Sequence, residues 1–193
     1  MRTNSLIALS LCAMLFSCDF QNSQELNKGP HVRDEDYVMI ARRIRREAAF
    51  KMCKEKGLQL AGVGGGMMSH IQRMSLGFHF FHEVDLTEAR KITVYAVNEY
   101  LTAINSSKEV RPYLKNYPFT SKEVSIRIWI YKPDHTKVPL GEIESISATD
   151  GTITYRINIG ENNYSNNDLC EETYEEALKI VQEEAALSEK NED

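Results

Sequence analysis

Cys53 and Cys170, with the three neighbouring histidines His70, His79 and His82, are the side chains of this sequence best suited to chemistry. In an oxidising compartment two such thiols invite a disulfide. A Cys53–Cys170 bridge would tie the first predicted helix to the start of the last one. It would close a loop on the order of a hundred residues, worth up to ~4.7 kcal/mol on a chain-entropy argument. A second reading makes Cys170 a nucleophile, because it stands near a predicted helix N-terminus where the dipole favours thiolate. Glu171 and Glu172 oppose that by favouring the thiol, and a histidine would have to be brought in by the fold. Two inert thiols are the third reading. The histidines lack the converging spacing of a metal site, since in a strand His79 and His82 point to opposite faces. Phe78, Phe80 and Phe81 around them read as a packed aromatic strand. Gly64-Gly65-Gly66 is followed by Met67, Met68, Ser69 and His70, without the Gly-Lys-Ser/Thr ending of a phosphate loop. The triplet reads as a flexible turn between strands, where glycine lets a ligand approach the backbone closely. No cofactor or metal is expected.

The N-terminus carries a different kind of chemistry. Arg2 precedes an apolar run at 5–16 (SLIALSLCAMLF), which is long enough for a signal-peptide core and too short to span a bilayer. The run ends in Leu15-Phe16-Ser17-Cys18, and polar residues follow at once: Asp19, Gln21, Asn22, Ser23 and Gln24. This segment resembles the lipobox of bacterial lipoprotein precursors. Leu15, Ser17 and Cys18 match the pattern, while Phe16 is larger than the residue usual there. The resemblance implies that residues 1–17, including Cys12, are removed as a signal peptide and that the Cys18 thiol receives diacylglycerol. Acyl chains contribute roughly 0.8 kcal/mol per buried CH₂, and two or more give stable anchoring. Membrane lipid, held through acylated Cys18, is then the first partner. Asp19 resembles the residue that retains Gram-negative lipoproteins at the inner membrane.

These groups must be positioned by the elements behind them. Residues 18–34 lack periodicity, carry the Gly29-Pro30 breaker and read as a flexible tether. Residues 35–193 then form a single domain ending in an acidic tail. Tyr37, Ile40, Ala41, Ile44, Ala48 and Met52 recur at helical spacing, with Gly57 just past the helix end. Arg42, Arg43, Arg45 and Arg46 fall mostly on the opposite side, as a solvated face or a contact for lipid headgroups. Asp85 with Glu88 caps a second helix lined by Leu86, Ala89, Thr93, Val97, Tyr100 and Ile104. A third helix is predicted over 171–187. Strict alternation predicts strands at 124–130 and 153–159, and Asp150-Gly151 predicts a type I′ hairpin joining the latter to 142–149. Weaker strands are expected at 58–63 and 74–82. The aromatic stretch from Arg111 to Phe119 reads as a loop folded over the core or as a recognition surface. The pattern predicts an α+β domain, a mostly antiparallel sheet of four to five strands with about three helices packed on one face.

Composition limits the function. Lys plus Arg number 23 against 28 Asp plus Glu, giving a net charge of −5. The acidic balance gives no basic surface for nucleic acid, and 42% hydrophobic with 26% charged residues is a folded composition. The expectation is a lipid-anchored envelope lipoprotein facing the periplasm or exterior. It would act as an accessory or binding module toward an envelope protein or peptidoglycan. The alternative is a membrane-tethered hydrolase or thiol enzyme using Cys170 or Cys53 with a histidine. If Cys18 carries the anchor, a Cys18→Ala variant should lose metabolic labelling by a lipid analogue and leave the membrane fraction. Persistent labelling of that variant would refute the anchor.

Overall fold

Val124, Ile126, Ile128 and Ile130 are buried while Ser125, Arg127 and Trp129 between them are not, so the period of two in the sequence becomes one buried and one open side of a strand. The computed structural model describes residues 34–160 and 167–190, which belong to one compact unit, Arg33–Asp193. The signal segment and Cys18 lie outside the described residues, as does nearly all of the tether.

Chain order is α1 (Asp34–Lys56), β1 (Gln59–Met67), β2 (Ile71–Phe80), α2 (Leu86–Ser106), a short 3-10 turn (Arg111–Tyr113), β3 (Val124–Ile130), β4 (Ile143–Thr149), β5 (Thr152–Ile157), β6 (Asp168–Thr173) and α3 (Tyr174–Lys190). The six strands lie side by side in sequence order. All neighbours are antiparallel except β2 and β3, which run parallel because α2 carries the chain back between them. The domain is α+β, with one strand more than the upper expectation.

Local chemistry explains the boundaries. Gly57 at φ +70° ends α1, its N–H donating to the Cys53 carbonyl over 2.9 Å. Asp85 caps α2 by accepting from the Glu88 N–H at 2.8 Å. Asp150 and Gly151 both take positive φ, 54° and 81°, as a type I′ turn requires. The helices form one layer, α2 lying between α1 and α3. Against it pack Met74, Leu76, Phe78 and Phe80 from β2, the four apolar residues of β3, and Ile146, Ala148, Ile153 and Tyr155.

Three expectations are corrected. The last helix begins at Tyr174 rather than 171, because residues before it extend β6. The Gly64–Gly66 triplet is not a turn but part of β1, in its C-terminal half. Arg45 does not share the exposed side of Arg42, Arg43 and Arg46, since it is only 9% exposed. It falls on the Ala41, Ala48, Met52 stripe, where two small neighbours leave room for its side chain.

The two sides of β3 should differ sharply on truncation. Ile128→Ala should lose about 2–5 kcal/mol in urea unfolding, whereas the adjacent Arg127→Ala should change stability by less than about 1 kcal/mol. Equal losses would mean that both faces are packed.

Candidate functional site

Strand register places the side chains opposite the helices in three rows. Gly64, Ser75, Ser125, Thr149, Thr152 and Thr173 follow one another across the six strands. Gly62, Gly77, Arg127, Ser147, Thr154 and Glu171 form the next row. Gln59, His79, Trp129, Ser145, Arg156 and Asp168 form the third. Among the described residues no helix lies over this face. Short hydroxyl side chains dominate the first row and bond along it, Ser125 Oγ standing 2.8 Å from Thr149 Oγ1. Thr154 donates to Glu171 at 2.9 Å and the Arg156 guanidinium to Asp168 at 2.8 Å, tying β5 to β6.

One corner of the face is aromatic. His79 sits edge-on to Trp129 and Tyr131, with ring centroids 5.8 and 5.4 Å away. Phe81 stacks on Tyr131 at 5.7 Å and meets His135 at 4.1 Å. Such offset and edge contacts exploit the ring quadrupole. Arg127 reaches 6.0 Å from the Trp129 ring centre, the outer limit of a cation–π contact. Trp129 takes its place because Gly77 has no side chain: a Cβ there would stand 2.9 Å from the indole. Beside Trp129 and Tyr131 opens a cavity of about 210 Å³ that also reaches Glu144 and Ser145. A half-exposed aromatic cluster next to a hydroxyl-lined sheet can stack on apolar ligand faces and hydrogen-bond their edges.

The cysteines are not brought together. Cys53 is an exposed free thiol on α1, which packs on β1, and Cys170 is a half-buried free thiol on β6 at the other edge of the sheet. The expected bridge is therefore not formed. Nor does Cys170 sit at a helix N-terminus. It lies opposite Tyr155 on the core side of β6, and burial raises its thiol above the ordinary range, with the Glu172 charge adding. His79 is on the opposite face, four strands away, and no hydrogen bond joins either thiol to a histidine among the described residues. His82 follows the end of β2 and contacts Phe80, while the exposed His70 lies in the β1–β2 turn. Among the described residues no three His, Cys, Asp or Glu side chains could share a metal ion. No described helix is long and apolar enough to cross a membrane.

Sequence reasoning did not find the half-buried Arg90–Glu172–Tyr155 cluster. Arg90 donates to Glu172 at 2.8 Å and the Tyr155 hydroxyl donates to the same oxygen at 2.6 Å. Burial and the Glu172 charge hold the Tyr155 phenol well above its ordinary range, so it remains the donor. Helical and strand periodicities carry no signal for a pair 82 positions apart.

The chain matches no protein-family model, no curated protein and no solved structure.

Trp129 is the single tryptophan and reports directly on this corner. Gly77→Val should push the indole off β2, red-shifting its emission, increasing its quenching by acrylamide and costing about 1–3 kcal/mol of stability. An unchanged spectrum would show that the indole does not rest on Gly77.

Proposed function

We propose that this protein is a binding module held at a bacterial envelope membrane by acylated Cys18, with the uncovered sheet face as its working surface. The observation that supports this reading is the face itself. A six-stranded sheet is packed by helices on one side only, and its other side carries hydroxyls, two arginines and an aromatic corner rather than a second core. Loops and termini can vary freely, but these side chains stand on paired strands and keep their spacing without a ligand. An envelope protein or peptidoglycan, both rich in hydrogen-bonding groups, suits such a surface. The tether between Cys18 and the domain would give the face reach from the membrane.

The raised thiol of Cys170 and its separation from His79 weigh against the thiol-enzyme alternative. A photo-crosslinking residue at Ser147, in the centre of the face, should capture a partner in intact cells. The same residue at the exposed Gln182 of α3 should not, and Trp129→Ala should abolish capture from Ser147. Equal capture from both sites, or none from Ser147, would overturn the reading.

A further inference from the structure

At the end of the sheet away from the aromatic corner lies a cavity of about 550 Å³. We propose that it binds a phosphate group. Its cations come from three separate stretches of chain: Arg73 on β2, Lys115 in the loop after the 3-10 turn, and Lys122 just before β3. Three positive charges converging on one cavity is a departure for a chain whose net charge is −5.

The partners of each charge define what the cavity lacks. Arg73 is held by Asp150. Glu123, the one carboxylate in the lining, is engaged inside its own loop. It accepts from the Thr120 N–H at 2.8 Å, from the Thr120 hydroxyl at 2.7 Å and from the Asn116 amide at 3.1 Å. Burial alone would raise its pKa, but these bonds outweigh that and hold it below the usual carboxylate range. Lys115 and Lys122 have no carboxylate within ion-pair distance among the described residues. Two lysines without an ion-pair partner among the described residues therefore line this polar cavity together with Gln72 and Ser75.

Part of the cavity wall, at Gly65 and Gly66, is bare backbone. Gly65 has φ +141°, and a Cβ on it would stand 2.2 Å from the Arg73 carbonyl oxygen, so only glycine fits. Behind Gly65 stands Arg45. Its Nη2 would be 3.0 Å from that same Cβ, and its contact with the Met67 sulfur, at 3.7 Å, is weak. The Arg45 Nε is buried with no hydrogen-bond partner. The two unpaired lysines of the lining, with the Arg45 guanidinium behind Gly65, outweigh the single Glu123 charge and raise the potential inside the cavity. Phosphate suits this set better than carboxylate does. A phosphate monoester brings close to two negative charges and three acceptor oxygens, enough to meet both lysines at once, where a carboxylate brings one charge and two oxygens. The group could arrive on a soluble ester or on an anionic lipid headgroup. The proposal stands on the cavity alone, whether or not Cys18 is acylated.

The test uses the full chain, 15N-labelled, in maltoside micelles that carry no phosphate. Inorganic phosphate should produce saturable amide shifts at Gly65, Gly66, Lys115 and Lys122, with no such response to chloride. The Lys115→Gln/Lys122→Gln double variant should bind at least tenfold more weakly while keeping the remaining spectrum, whereas Lys179→Gln should bind normally. In a second arm, vesicles of uncharged galactolipid are compared with the same vesicles containing phosphatidylglycerol. A preference for the anionic vesicles that the double variant loses identifies the headgroup as the source. Phosphate binding without that preference identifies a soluble ester. The proposal falls if neither arm shows binding, or if the double variant behaves like the parent in both.

Discussion

A sheet packed by helices on one side only is the constraint on which the rest of this structure depends. Each inner strand, β2 to β5, must then divide its residues between two solvents, a hydrocarbon-like core and water. Isoleucine, valine and phenylalanine occupy the positions that face α1, α2 and α3, where burial removes them from water. The intervening positions gain nothing from apolar side chains, and serine, threonine, glycine and arginine stand there instead. Because side chains alternate with a strict period of two, a slip of one residue in any pairing would exchange the two sets. The burial pattern thus fixes register, and register fixes the three rows of the open face.

Much of this division is legible in the sequence. The alternation of Val124, Ile126, Ile128 and Ile130 announces β3, and Asp150-Gly151 announces the hairpin that follows. Asp85 with Glu88 announces the start of α2. In each case the signal lies within a few residues of the structure it specifies. The rows on the open face were not legible, because Gly77, Arg127, Ser147 and Thr154 meet only through long-range register. Nor was β6, whose residues (DLCEET) are mostly polar and lie at the sheet edge, where little apolar burial is demanded. One local signal did mark its end. Thr173 and Glu176 form a reciprocal capping box, with the Thr173 N–H donating to Glu176 and the Glu176 N–H to Thr173, which sets the start of α3. Placing Cys170 near a helix end therefore gave it the wrong electrostatic setting.

Arg45 and the glycine triplet show the same limit from another side. Arg45 is spaced as a core residue, but its chemical type reads as surface, and the conflict resolves only when Gly65 is seen against it. The glycines suggest looseness when read locally. In the fold they are close-contact positions, Gly65 against the Arg73 carbonyl and Gly77 beneath the Trp129 ring. Positions where local propensity disagrees with the final structure are expected to gather where something other than stability is served. Here the three that disagree most plainly, Arg45, Gly65 and Gly77, stand at the cavity wall or under the aromatic corner. The half-buried Arg90–Glu172–Tyr155 cluster differs from these in that its polar groups satisfy one another. It links α2 to the β5–β6 edge and keeps that end of the sheet in register.

The central claim is that the uncovered face is occupied by a partner where the protein works. Solvent access in living cells tests it most directly. With Ser147→Cys and, separately, Gln182→Cys in a Cys53→Ala background, maleimide labelling is compared between intact cells and the purified protein. The account predicts that labelling at position 147 is strongly reduced in cells and restored on purification, while position 182 labels equally in both. Equal labelling of position 147 in cells and in purified protein would contradict it.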